Sequence, residues 1–319
     1  MTAVSLPGDV ELSFEQPADA AAAQVLRTLL ATIEANLHGA IEEPGSEALH
    51  DLRVAVRRSR SVQRELKGAF PAVELTHFRK GFRWLQALTG PARDIDVYVQ
   101  GFDQLRGLVP EAMREELEPL LDVLRGHRAQ AREEMADGLR SERFTTLMSE
   151  WAELLELLPS MPVADRPDAK LPIGELTGNR IAKVYKRMMK MGARIGPESP
   201  PEAYHELRKK GKELRYLLEL FGAPLYPSNV VKPMIKSLKG LQDMLGRHQD
   251  RQVQQAMLRS LSDELAAVPD GATTLMAVGA LLASLGEDAR ATREEFGERF
   301  EAFASPKQRA LVKETFGRP

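Results

Sequence analysis

HDLRVAVRRSRSVQRELK, residues 50–67, carries His50, Arg53, Arg57, Arg60, Arg64 and Lys67 at spacings of 3, 4, 3, 4 and 3. Side chains at those spacings share one face of an α-helix. At 1.5 Å per residue the row is roughly 25 Å long. One position earlier run Leu49, Leu52, Val56 and Leu66, an apolar stripe for a core. The stretch reads as a helix that buries one side and presents a ladder of cations beside it.

The stretch recurs. His50-Asp-Leu-Arg53 aligns with His205-Glu-Leu-Arg208 at an offset of 155, which places Arg57 on Lys212, Arg60 on Arg215 and Leu66 on Phe221. At an offset of 156, Phe82–Val97 aligns with Leu238–Val253, with Leu85/Leu241, Gln86/Gln242, Gly90/Gly246, Asp94/Asp250 and Val97/Val253 identical. Lys80/Lys236 and Arg83/Lys239 keep their charge. Two aligned blocks separated by one indel mark a duplicated helical unit.

Each unit reads as a helical hairpin. Residues 47–68 form a helix broken by Gly68 and Pro71, and 72–89 form the next, ended by Gly90-Pro91. In the second unit Ser199-Pro-Pro-Glu202 reads as a capping box that starts a helix through Phe221, stopped by Gly222 and Pro224. His248, Asp94 and Asp250 are placed beside or just after the Gly90 and Gly246 turns. The prolines of 157–172 mark a linker. The predicted organisation is an extension at 1–19, a first bundle at 20–156, the linker 157–172, and a second bundle at 173–319.

Composition fits an all-α fold. Hydrophobic residues make up 43% and aromatics 6% of 319 residues, and no strand-like alternation of useful length occurs. The absence of cysteine excludes disulfides, cysteine-ligated zinc and thiol catalysis, and is compatible with the cytosol. Met1 to Asp19 is acidic and lacks the pattern of a signal peptide. The longest apolar run, Ala272 to Leu285, is too short to span a bilayer and reads as a core helix.

The net charge of −2 conceals segregation. His50–Lys67 holds six cations and two acids, Arg79–Arg93 four and none, and Arg180–Arg194 six and none. With His205–Glu219 and Lys232–Arg251 these windows carry +19, leaving −21 for the rest. In 180–194, Arg180, Lys183, Arg187, Lys190 and Arg194 again step by 3 and 4. A solvated helix face is the plain alternative for any single row. Like charges at that spacing are mildly destabilising, however, and exposed helices usually mix signs. Several cationic rows in paired hairpins, which should bring them together, repel one another unless a polyanion lies on them, and arginine forks suit phosphate oxygens. The site is expected to be one electropositive trough formed by all the rows.

Catalytic patterns are missing. No GxxxxGK[ST], GxSxG or HExxH occurs, and the basic windows lack the clustered carboxylates that hold Mg²⁺ in phosphoryl transfer. No catalytic residue, metal or cofactor is expected. His50 and His205 head matched rows and are read as phosphate contacts or structural hydrogen-bond donors. Asp94 and Asp250 are read first as helix caps or internal salt-bridge partners. Nucleic acid is the competing ligand, but the rows lack interleaved aromatics beyond Trp84, Tyr185 and Tyr216.

The blocks HDLRVAVRRSR, PARDIDV, HELRKKGKELRYLLELF and LQDMLGRHQD resemble the signature blocks of the CHAD domain, the conserved histidine α-helical domain. The resemblance spans about residues 20–300. It implies two pseudo-symmetric four-helix bundles around a basic central cavity, binding of inorganic polyphosphate, and association with polyphosphate granules in some bacteria. The family's basic positions fall on Arg53, Arg57, Arg60, Lys80, Arg83, Arg208, Lys212, Arg215, Lys236 and Lys239, with histidines at His50 and His205. Arg64, Lys183, Arg187 and Lys190 join the expected site through their own rows. CHAD domains are often fused to a CYTH triphosphatase, but no ExExK motif is present here. Glu219 at the match of Arg64 makes the second row shorter. The overall expectation is a cytoplasmic, non-enzymatic polyphosphate-binding protein, with granule proteins or polyphosphate-metabolising enzymes as companions. A nucleic-acid-binding protein and an accessory to a polyphosphate phosphatase or kinase are the alternatives.

Overall fold

Both matched rows fold as helices, and they cross each other. The computed structural model describes residues 10–317; the reading of Met1–Asp19 falls in part on residues 1–9, outside them. The first half contains α1 (Ala18–Ala35), α2 (Leu37–Glu42), α3 (Glu47–Glu65), α4 (Ala72–Leu88), α5 (Gly90–Gln100), α6 (Phe102–Arg106), α7 (Glu118–Arg140) and α8 (Glu142–Leu157). The second contains α9 (Ile173–Gly192), α10 (Pro201–Leu217), α11 (Ala223–Leu225), α12 (Ser228–Ser260), α13 (Ser262–Ala266), α14 (Gly271–Glu294), α15 (Phe296–Phe303) and α16 (Pro306–Phe316). Among the described residues there is no strand, only an isolated bridge between Pro17 and Pro172. The fold is all-α, as the composition and periodicity imply.

The repeat is visible in the bonds between the halves. Ile173 N–H donates to Gln16 O and Ala18 N–H to Leu171 O, at 2.9 and 3.0 Å. Gly174 N–H donates to Phe14 O and Asp19 N–H to Ala169 O, both at 3.0 Å. Shifting one partner forward by 155 and the other back by 155 turns the first bond of each pair into the second. Arg58–Glu219 at 2.8 Å and Arg64–Glu213 at 3.4 Å exchange in the same way. A contact in which i meets j′ and j meets i′ is the pattern of a two-fold interface between copies of one unit. Pro17 with Pro172, and Ser61 against Tyr216, lie on this exchange.

Packing follows the apolar stripes. Ala18, Ala21, Ala22 and Ala23 are fully buried on α1, so α3 approaches closely. Leu49, Leu52 and Val56 of α3 and Leu207 and Leu214 of α10 enter one core. That core draws on α1, α3, α4 and α8 together with α9, α10, α12, α15 and α16. A second core joins Tyr98, Phe102 and Leu120 to Leu258, Val278 and Leu281. Each core thus takes residues from both halves, which holds the repeats in fixed register. The run 272–285 lies inside α14, with Ala277, Val278, Leu281 and Leu285 buried, as expected of a core helix.

Several local expectations change. The linker 157–172 is pinned at Leu158, Arg166 and Ala169, which are buried, while most of its other residues are exposed. Arg166 there is 1% exposed and forms a buried pair with Asp19 at 3.2 Å while donating to the carbonyls of Ala69 and Leu158. Lys170 reaches the same Asp19 oxygen at 2.7 Å. The Ser199 capping box does not form: the helix begins one residue later, behind Pro200, and Ser199 Oγ accepts from Gly196 N–H instead. Gly222 and Pro224 do not stop α10. The chain passes through a π-turn, Leu218–Gly222, which shifts the bonding register ahead of Pro224 and runs into α11. Gly246 makes no turn either. Gly90-Pro91 interrupts the first unit at Thr89, because proline lacks an N–H and collides with the carbonyl four residues back. With Arg247 in that place α12 runs unbroken for 33 residues.

The Asp19 pair gives a stability prediction. Asp19→Ala leaves Arg166 buried without its anion. Loss of one partner of a buried pair costs about 3–5 kcal/mol. Urea unfolding should show that loss at an unchanged slope; a change below about 1 kcal/mol contradicts the assignment.

Candidate functional site

The site is the seam where α3 crosses α10. Arg53 and Arg57 of α3 and Arg208 and Arg215 of α10 each follow, by one position, a residue committed to the core: Leu52, Val56, Leu207 and Leu214. Arg57 acts electrostatically on Arg208 and Lys212, so the two rows meet across the repeats. Arg57 and Lys212 occupy matched repeat positions, are half-buried, and form no ion pair. Around them stand Arg53, Arg208 and Arg215. Arg53 Nε, Arg57 Nε, Arg93 Nη1 and Arg215 Nε are buried donors without an acceptor in the protein.

The crowding leaves its mark on the titrating groups. Burial first, then the charges of Arg208, Arg57 and Arg215, push the Lys212 ammonium down to about 7, with Asp250 opposing. Burial brings Arg53 down to about 10, with Arg57 and Arg93 adding to the effect and Asp94 resisting it. Arg208 is lowered by burial, Arg57 and Arg215. Arg60 is lowered by burial and by Arg83 and Arg64, which ties the α4 cation Arg83 to the seam. Desolvation disfavours a charged group, and like charges nearby add to it. A polyanion reverses the second cause.

Acids limit the seam at defined places. Arg53 faces Asp94 at 3.9 Å and Arg208 faces Asp250 at 3.8 Å, so these matched aspartates are internal ion-pair partners. Partial desolvation raises both carboxylates against the pull of those arginines. Tyr98 is pushed up to about 12 by burial and by both aspartates, which places Asp94 and Asp250 near one another. At the other end Arg64 pairs with Glu65 at 2.6 Å and Glu213 at 3.4 Å, and Arg215 with Glu219 at 3.5 Å. Glutamates of α10 and of the turn after it thus pair with Arg64 and Arg215, whereas Arg57 and Lys212 form no ion pair but lie within reach of the charges of Asp94 and Asp250.

The histidines take structural or flanking places. His50 Nδ1 lies 3.4 Å from Arg93 Nη2, and His205 Nδ1 lies 2.6 Å from Gln249 Oε1; Arg93 and Gln249 match at the 156 offset. Burial, then Arg93 and Arg57, lower the His50 pKa, so its imidazole is a neutral flank of the seam at neutral pH. His248 is buried on α12 with Nδ1 at 3.3 Å from Ala289 O, a structural contact.

The expectation that every row converges is corrected. Lys183, Arg187 and Lys190 are exposed on α9, and the charges acting on Arg53, Arg60, Arg208 and Lys212 include none from α9. The 3–4 spacing made a face, but the helices packed around α9 turned that face elsewhere. Lys80, Lys236 and Lys239 are exposed and form no side-chain bond or ion pair. Arg93 was passed over, although it lies in the PARDIDV block opposite Gln249. Among the described residues no group of three or more His, Asp or Glu side chains is placed to hold a metal ion, and no helix is long and apolar enough to cross a membrane. A cavity of about 410 Å³ lies elsewhere, lined by Phe14, Gly178, Tyr226 and Phe316 and by none of the seam cations.

Comparison with known proteins identifies the family and the fold. The CHAD domain family matches residues 24–259. Two uncharacterized proteins of Mycobacterium tuberculosis, from two strains, are each 28% identical over 249 residues, 76% of this chain and 46% of theirs. The chain thus spans about half the length of these relatives. The crystal structure of the CHAD domain from the plant Ricinus communis superposes with a TM-score of 0.74 at 25% identity, over 93% of this chain and 96% of that one. PptA from Streptomyces chartreusis shares the fold, with a TM-score of 0.65 at 17% identity over 90% of this chain and 100% of that one.

Proposed function

The chain belongs to the CHAD domain family, and from that premise we propose that it binds inorganic polyphosphate along the seam between α3 and α10. The observation that carries the reading is the matched pair Arg57 and Lys212: two half-buried cations from different repeats, facing the same arginines, with no ion pair. Bringing like charges together costs free energy, and a bound anion offsets that cost. The buried arginine donors of the seam call for acceptors, and phosphate oxygens supply them in forked geometry. The family resemblance, which implies a basic central cavity, supports the same reading.

Binding, not catalysis, is the proposed activity. Asp94, Asp250, Glu213 and Glu219 each lie within 4 Å of an arginine, which favours their service as ion-pair partners over holding Mg²⁺ beside the phosphates. No exposed aromatic platform for bases lies on either row, which favours a polymer of phosphate alone. In the cell the partners are polyphosphate and the enzymes or proteins gathered on it, in the cytoplasm and at polyphosphate granules.

Titration with polyphosphates of several lengths at two salt concentrations tests the reading. Affinity should fall linearly on log–log axes as salt rises, because each phosphate contact releases counterions. Duplex DNA or RNA at equal phosphate concentration should displace little; full displacement overturns the assignment. Phosphate release with Mg²⁺ or Mn²⁺ should stay at background.

A further inference from the structure

We infer that the exposed face of α9 is a second, outer track for the same polymer, engaged only by chains long enough to leave the seam. The inference rests on the polyphosphate reading of the seam and extends it. Lys183, Lys186, Arg187 and Lys190 line α9 at spacings of 3, 1 and 3, with Arg194 two residues past its end, all exposed. At 1.5 Å per residue the helical part of the track is about 10 Å long. None of the five makes a side-chain hydrogen bond or ion pair, and the nearest acids along the chain are Glu175 and Glu198.

The duplicated scaffold does not require these charges. At the matched positions α1 and the residues after it carry Thr28, Ala31, Thr32, Ala35 and Gly39. Both α1 and α9 pack on their hairpin helices through apolar stripes, so the five cations are additions to the second unit alone. They also repel each other at 3–4 spacing, which works against the helix they stand on. α16, packed beside α9, adds Arg309 near Tyr185.

The shape of the patch selects the ligand. It is one helix wide and straight, which fits a thin linear polyanion. No large apolar side chain of α9 is exposed, so nothing is offered to a lipid surface. Tyr185, the aromatic of this stretch, is buried, so no base can stack there.

The test uses Lys183→Glu/Arg187→Glu/Lys190→Glu in the full chain, with the corresponding glutamine triple as a milder variant, each checked for helicity. Short polyphosphate, confined to the seam, should bind within twofold of wild type. Long polyphosphate should bind about tenfold more weakly, with a log–log salt slope smaller by about 2 to 3. The glutamine triple should shift long-chain affinity in the same direction by less. Equal affinity for long chains in wild type and both variants overturns the track. So does an equal loss for short and long chains, which would make α9 part of the seam. Anionic vesicles or RNA that bind through α9 while long polyphosphate does not would also overturn it. Loss of all polyphosphate binding by wild type would instead overturn the seam reading, so the two failures are distinguishable.

Discussion

Arg57→Glu/Lys212→Glu should lower polyphosphate affinity by at least about 100-fold while leaving the helical circular dichroism unchanged. A hydrogen bond to a charged group contributes roughly 1.5–3 kcal/mol, and two such contacts are lost together. The new carboxylates also repel the ligand. The fold should tolerate the change, because neither side chain has a hydrogen bond or ion pair to lose and a glutamate at either place meets Arg53, Arg208 or Arg215. The double variant should gain stability in the absence of ligand, seen as a higher urea midpoint, since the like-charge crowding is relieved. Isothermal titration and urea unfolding on the same preparation check both halves of this expectation. Undiminished binding by the folded variant removes the seam from the account.

The pH dependence of binding should be the second large effect. Lys212 sits at about 7 in the free protein, against 10.5 in an unfolded chain. A phosphate beside it favours the charged form, so binding takes up a proton above pH 7. Affinity should therefore be greatest below pH 7 and fall as pH rises. If the bound ammonium stays charged throughout, linkage gives a loss of roughly 30-fold between pH 6 and 8.5. Lys212→Arg, which stays charged, should flatten that component and isolate it from the titration of the polymer itself. The sign for stability is opposite. A lysine with a depressed pKa binds fewer protons folded than unfolded, so the free protein gains stability as pH rises from about 7 towards 10.5 and lacks that gain below 7. Saturating polyphosphate should remove this slope. A pH-independent affinity, identical in wild type and Lys212→Arg, contradicts the placement of Lys212 in the site.

Much of this was legible before any coordinates. The 3–4 spacing of Arg53, Arg57 and Arg60, with leucines one position earlier, dictates both helix and orientation, because one periodicity governs the apolar and the cationic stripe. The offset of 155 predicts that Arg57 and Lys212 are equivalent. It does not predict that they meet, since equivalence in sequence says nothing about how two units dock. That depends on the exchanged bonds at 14–19 and 169–174 and on the Arg58–Glu219 and Arg64–Glu213 pairs, whose members lie about 150 residues apart. The glutamates that quiet Arg64 and Arg215 were visible as residues but not as neighbours. The α9 row failed as a seam prediction for the same reason. Its spacing matched that of α3, yet its apolar stripe packs against α10, α15 and α16, and its cations are not among the charges acting on the seam. Turn signals were weaker guides. Gly246 and Pro224 are accommodated within helices because the chain on either side is held by core packing, which outweighs a local break.

The claim on which the account depends is that cations from both repeats grip one polymer at the crossing of α3 and α10. A crystal structure with a short polyphosphate tests it most directly. The account predicts phosphate oxygens within hydrogen-bond distance of Arg57 and Lys212 at once, with Arg53 and Arg208 alongside. Ordered phosphate touching one repeat alone, or lying only on the exposed faces of α9 or α12 with the crossing untouched, would contradict it.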